Sequence, residues 1–123
     1  FESPSPDQIK ERHMKVNLLD VGGTVVKDNE TYLLKDNKAL QQLVLSSTQL
    51  RKGQSTRGHS HPGQEEVYFF VSGEGEMELG EERFPVKAND VVLIPDGVFH
   101  RVHNMTALSD LYFVCVFNGG RNH

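Results

Sequence analysis

Apolar positions in this chain come in short alternating runs, cut every few residues by glycine, proline, asparagine or aspartate. A repeat of about two residues marks strands with one buried face, whereas a helical repeat of about 3.6 is nearly absent. Val16 to Asp20, Thr24 to Val26 and Thr31 to Leu34 are predicted strands, the last two separated by the turn-prone Asp28-Asn29-Glu30. Ala39 to Leu50 begins with helix-compatible residues, but its β-rich centre, Val44 to Thr48, predicts a strand ending at Lys52-Gly53. Glu66 to Val71 follows. Glu76 to Leu79 and Arg83 to Val86 then flank Gly80-Glu81-Glu82 as a hairpin. Pro85 has no N–H to give a ladder, which places it on an edge. Asp90 to Ile94, Val98 to His103 and Leu111 to Phe117 complete the set. Many short strands joined by tight turns predict an all-β antiparallel sandwich or barrel. The barrel domain is expected over residues 16–123, after a flexible N-terminal segment (residues 1–15) that opens with Pro/Ser-rich sequence.

Length and composition narrow the partners. At 123 residues the chain suits one domain with a real core. Charged residues make up 24% and hydrophobic residues 37%, ordinary for a globular protein. No apolar run approaches the roughly 18–20 residues of a membrane span, so no membrane partner is expected. A net charge of −4 without a basic stripe argues against nucleic acid. The single cysteine, Cys115, rules out a disulfide within the chain and fits a reducing, cytoplasmic setting. Its place in the apolar run Leu111 to Phe117 predicts a buried, inert thiol. Opening on Phe1 rather than Met, the chain reads as a trimmed or partial sequence.

The chemistry concentrates between Gly53 and Gly73, where His59, His61, Glu65 and Glu66 fall within eight residues. In extended backbone, side chains at i and i+2 share a face, so His59 and His61 form a fork. Pro62-Gly63 turns the chain. Glu66 shares strand parity with Tyr68 and Phe70, whereas Glu65 points the other way, to solvent. Two imidazoles and a carboxylate nearly complete a site for a divalent transition metal. His100, just past the turn Pro95-Asp96-Gly97, is the candidate fourth ligand. His103 has the opposite parity and is expected not to ligate; His13 and His123, near the termini, are expected in solvent.

Those spacings resemble the cupin superfamily. Its first motif is Gly, five residues, His-x-His, three or four residues, Glu, six residues, Gly, and is met by Gly53, His59, His61, Glu66 and Gly73. The second is Gly, five residues, Pro-x-Gly, two residues, His, three residues, Asn. It is met by Pro95, Gly97, His100 and Asn104, with Asn89 in place of the leading glycine. Asparagine tolerates positive φ better than most residues, so the turn survives. The resemblance implies a jelly-roll β-barrel holding one metal (Zn, Mn, Fe, Ni or Co) through His59, His61, Glu66 and His100.

Around that metal, Tyr68, Phe70, Met77 and Phe99 are candidate pocket walls, and Arg57 a clamp for a carboxylate or phosphate. Glu66 or a metal-bound hydroxide is the candidate proton carrier, with Tyr68 and Tyr112 as possible relays. The resulting expectation is a metalloenzyme acting on a small oxygen-rich substrate, led by sugar-phosphate or nucleotide-sugar isomerases. An iron-dependent dioxygenase or decarboxylase, and a non-catalytic binding module, are the alternatives. Val67, Phe69 and Val71 on the face opposite Glu66 leave an apolar surface that predicts a homodimer.

Overall fold

A computed structural model describes residues 14–119. Nine strands follow one another: β1 (Thr24–Asp28), β2 (Tyr32–Asn37), β3 (Leu43–Leu50), β4 (Glu66–Ser72), β5 (Glu74–Leu79), β6 (Glu82–Lys87), β7 (Val91–Ile94), β8 (His100–His103) and β9 (Leu111–Asn118). They form two antiparallel sheets, one ordered β1-β2-β3-β9-β4-β7 and the other β6-β5-β8. No helix occurs among the described residues, and so none that could cross a membrane.

Alternation decides which side chains meet between the sheets. Leu50, Phe70, Val92, Ile94, Leu111 and Phe113 of the large sheet pack against Met77, Val86 and Val102 of the small one. A smaller cluster of Val44, Cys115 and Phe117 lies beside them. Registers align Asp36, Ser46, Cys115, Tyr68 and Val92 as one inward row across β2, β3, β9, β4 and β7. Pro85 lies in β6, an edge strand, as its missing N–H requires. Asn89 has φ 78°, so it takes the left-handed conformation that its place in the second motif demands.

The strand expected over Val16 to Asp20 is instead a tight turn. Asn17 and Asp20 exchange backbone hydrogen bonds, and the Asn17 side chain accepts from the Leu19 N–H. The local side-chain cap competes successfully with extended pairing there. The first residues of the run from Ala39 are irregular, and β3 starts only at Leu43. The expected flexible segment lies mostly outside the described residues, as do His13 and His123.

Asn104 closes the barrel end. Its amide nitrogen donates to the carbonyls of Leu50, Arg51 and Ser109 at 3.2, 3.2 and 2.9 Å, while its side-chain oxygen accepts from the Thr106 N–H. The neutral amide offers two N–H donors and an acceptor oxygen together, which a carboxylate cannot. Asn104→Ala should therefore lower unfolding stability by about 2–4 kcal/mol. Urea denaturation would show a lower midpoint at unchanged slope, and Asn104→Asp, which lacks the donors, should fall nearly as far.

Candidate metal centre

The segment that precedes β4 is not a regular strand but is laced to β8. Thr56 N–H donates to Val102 O, Asn104 N–H to Gln54 O, and His59 and His100 exchange a reciprocal pair of backbone bonds at 3.0 and 2.9 Å. Arg101 Nε holds the Thr56 carbonyl at 2.7 Å. Gly58 makes this lacing possible. It has φ 84°, and a Cβ there would lie 2.6 Å from the Phe99 ring. His59 is thus delivered to the barrel interior by backbone pairing rather than by strand regularity.

His61, Glu66 and His100 are all buried, and one ligand atom from each lies within 4.8 Å of the others. Two ligands about 2.1 Å from one ion stand at most about 4.2 Å apart, so small rotations close this trio on a metal. His59 adjoins it, its ring stacked on His61 with centroids 5.2 Å apart. His61 and His100 rings are tilted at 5.6 Å, and Tyr68 meets His100 edge-on at 5.7 Å.

The closest contact is the most telling. His100 Nδ1 donates to the Val98 carbonyl at 3.0 Å, which leaves Nε2 as the lone-pair nitrogen. That nitrogen lies 2.8 Å from Glu66 Oε2, and the carboxylate oxygen is fully buried without a hydrogen bond of proper geometry. Two electron-rich atoms held this close in a buried place call for a cation or a proton between them. Nitrogen and carboxylate donors suit Zn, Mn, Fe, Co or Ni rather than Ca.

Protons would compete here with a bound metal. Burial holds the His59 imidazole below its ordinary value, helped by the neighbouring His61, His100 and Arg57, so His59 stays neutral near pH 7. Burial also pulls His100 down, but the Glu66 carboxylate and the Val98 carbonyl more than offset it and leave it raised. In metal-free protein the His100 contribution to stability is therefore present below the unfolded value near 6.5 and lost as pH rises through the folded value. Glu66→Gln should bring the His100 titration down. Imidazole NMR shifts of metal-free protein would check it; an unmoved His100 titration would refute the assignment.

A cavity of about 120 Å³ opens onto this cluster. Besides His59, His61, Glu66 and His100, its lining includes Lys27, Arg57, Tyr68 and Cys115. Arg57 and Tyr68 both border it. Phe70, Met77 and Phe99 do not border it. Phe70 and Met77 point inward as alternation required, but they sit in the core cluster. Phe99 precedes β8, covers Gly58 and is partly exposed. Tyr112 is no relay, since it lies on the outer face and donates its hydroxyl to the Leu18 carbonyl at 2.9 Å. Burial raises the Tyr112 phenol above its ordinary value. His103 is held on both ring nitrogens, by Ser55 Oγ and Glu78 Oε1 at 2.6 Å each, outside the metal cluster. Glu65 is exposed, as parity demanded.

Sequence reasoning missed Lys27. Val25 pairs with Lys35 and Lys27 with Leu34, so the register shifts within β1. This bulge turns both Val26 and Lys27 toward the cavity, where plain alternation would send one of them outward. Cys115 was expected to be buried, and is, but its place in the cavity wall follows only from the row it shares with Tyr68.

A double-stranded β-helix barrel with a buried His/Glu cluster at its centre defines a class of protein. Residues 47–117 match the model of the cupin domain, and this chain belongs to the cupin family. Among curated proteins it is 29% identical over 85 residues to an uncharacterized protein of Methanocaldococcus jannaschii, covering 60% of this chain and 68% of that protein. It is 36% identical over 67 residues to an oxalate-binding protein of Thermotoga maritima, covering 54% of each. The chain thus spans only about half the length of that second relative. A double-stranded β-helix domain protein of Klebsiella pneumoniae superposes with a TM-score of 0.70 at 23% identity, covering 80% of this chain and 86% of that one. A predicted oxalate decarboxylase of Thermotoga maritima gives 0.67 at 23%, covering 85% and 98%. At such identity these structures establish the shared fold.

Proposed function

We propose that this cupin binds one divalent transition metal through His59, His61, Glu66 and His100, and uses it to hold a small oxygen-rich metabolite by adjacent oxygen atoms. The observation behind this reading is the bare 2.8 Å approach of Glu66 Oε2 to the lone-pair nitrogen of His100. When bound, the metal supplies Lewis acidity that polarises a carbonyl or carboxylate oxygen of the ligand. The chain does the rest. Val98 fixes the His100 tautomer, and the aromatic pair Tyr68 and Phe113, stacked at 5.0 Å, walls the cavity. Tyr68 presents the phenol that gives or takes a proton at the ligand. The cavity, about 120 Å³, is far smaller than the roughly 300–1,000 Å³ of sites for drug-sized ligands. That size favours a compact acid or hydroxycarbonyl compound over a nucleotide sugar.

A second reading, binding without turnover, is supported by the name of the Thermotoga maritima relative, an oxalate-binding protein. Isotope exchange into small hydroxycarbonyl compounds distinguishes isomerisation, oxygen uptake or carbon dioxide release distinguishes dioxygenase or decarboxylase chemistry, and ligand binding with neither leaves the binding role. A cytoplasmic setting is consistent with a single, buried cysteine, Cys115.

Elemental analysis of protein purified without chelators should find one transition metal per chain, lost below about pH 5–6 as the imidazoles protonate. His100→Ala should abolish retention. At 100-fold metal over its dissociation constant, the parent should gain about 2.7 kcal/mol of stability that the variant does not. Metal content indifferent to pH between 7 and 4.5 would contradict the ligand set.

The homodimer belongs to the same proposal. Phe69 faces Val91, and Val67 faces Leu93, on the outer side of β4 and the edge strand β7. Val91 and Leu93 are 53% and 68% exposed. An apolar stripe beside an open strand edge is self-complementary under two-fold pairing. Leu93→Glu should convert a dimer to a monomer in light scattering at micromolar concentration, whereas a monomeric parent would rule the dimer out.

A further inference from the structure

Two cations stand in the wall of the metal cavity, and neither has an ion-pair partner among the described residues. Arg51 and Arg83 behave differently, each holding a carboxylate, at 2.8 and 2.6 Å. Lys27 is placed by the β1 bulge, and Arg57 by the laced segment two residues before His59. The described cavity wall offers one carboxylate, Glu66. With a divalent ion in place, the cavity would present four positive charges against that single negative one. A neutral ligand leaves this excess uncompensated, and a monoanion that spends its charge on the metal leaves both side chains unanswered. A dianion keeps a second charge for them.

The geometry points to Lys27, with Arg57, as the group that selects a ligand bearing a second negative charge. The ligand class is a small 2-hydroxy or 2-oxo dicarboxylate, its chelating end on the metal and its far carboxylate at Lys27. This inference rests on the metal reading given above and deepens it. Lys27 is exposed on an edge strand, and its ammonium donates charge-assisted hydrogen bonds without prior desolvation.

Malate and lactate make a matched pair, because both carry the same hydroxy-acid end and only malate carries the far carboxylate. Protein reconstituted with one equivalent of Zn²⁺ should bind malate about 10-fold more tightly than lactate in calorimetry. Lys27→Met should weaken malate binding about 5- to 10-fold, change lactate less than about 2-fold, and leave metal content as in the parent. Raising salt should shrink the malate preference of the parent and barely alter that of the variant. A zinc-loaded parent that takes both acids alike, or a Lys27→Met protein that keeps the preference, overturns the inference. A parent that takes up no metal overturns the metal reading beneath it, and the inference with it.

Discussion

The reciprocal backbone pair between His59 and His100 is the constraint on which the rest depends. It is an isolated bridge outside the ladders of either sheet, and it joins the two motifs of the sequence at the residues that matter chemically. One histidine of the first motif and the histidine of the second are thereby set side by side. Thr56, Arg101 and Asn104 continue the lacing on either side, so the segment acts as an extra, irregular strand along β8. Irregularity is needed here. A regular strand would place alternate residues on opposite faces, but this segment must also leave the sheet through Pro62-Gly63 and deliver Glu66 on β4.

Gathering two buried imidazoles, a half-buried one and a buried carboxylate opposes folding unless their polar atoms find partners. The chain meets that cost in two ways. Phe70, Met77, Phe113 and their neighbours form an apolar layer next to the cluster, supplied by both sheets. The Val98 carbonyl settles one imidazole tautomer in advance, so that a lone pair already points at the space shared with Glu66. The outer side of the small sheet is organised separately, with Glu78 between His103 and Arg83. Its carboxyl is held below the usual range, first by the hydrogen bond to His103. That chain of contacts grips Ser55, and so steadies the start of the laced segment without entering the cavity.

The sequence was legible where chemistry and geometry share one local rule. Parity separated Glu66 from Glu65 and His100 from His103, and motif spacing predicted a left-handed Asn89. It failed where a local rule was overridden. Side-chain capping by Asn17 replaced an apparent strand, and a register shift in β1 hid Lys27. Phe70 and Met77 show a different limit. Alternation says that a residue points inward, but not whether it meets the cavity or the packed layer next to it. Phe99 fell outside because β8 begins one residue later, at His100, leaving the ring to lie over Gly58.

The bulge in β1 has an evolutionary corollary. All five residues of that strand are exposed, and it pairs only with β2 at the margin of the large sheet. A single insertion, deletion or exchange there would swap which groups overhang the cavity while leaving the buried His/Glu cluster untouched. Variation in such a scaffold can reshape the mouth of the cavity by editing a dispensable hem of the fabric, with the histidines and carboxylate beneath inherited intact.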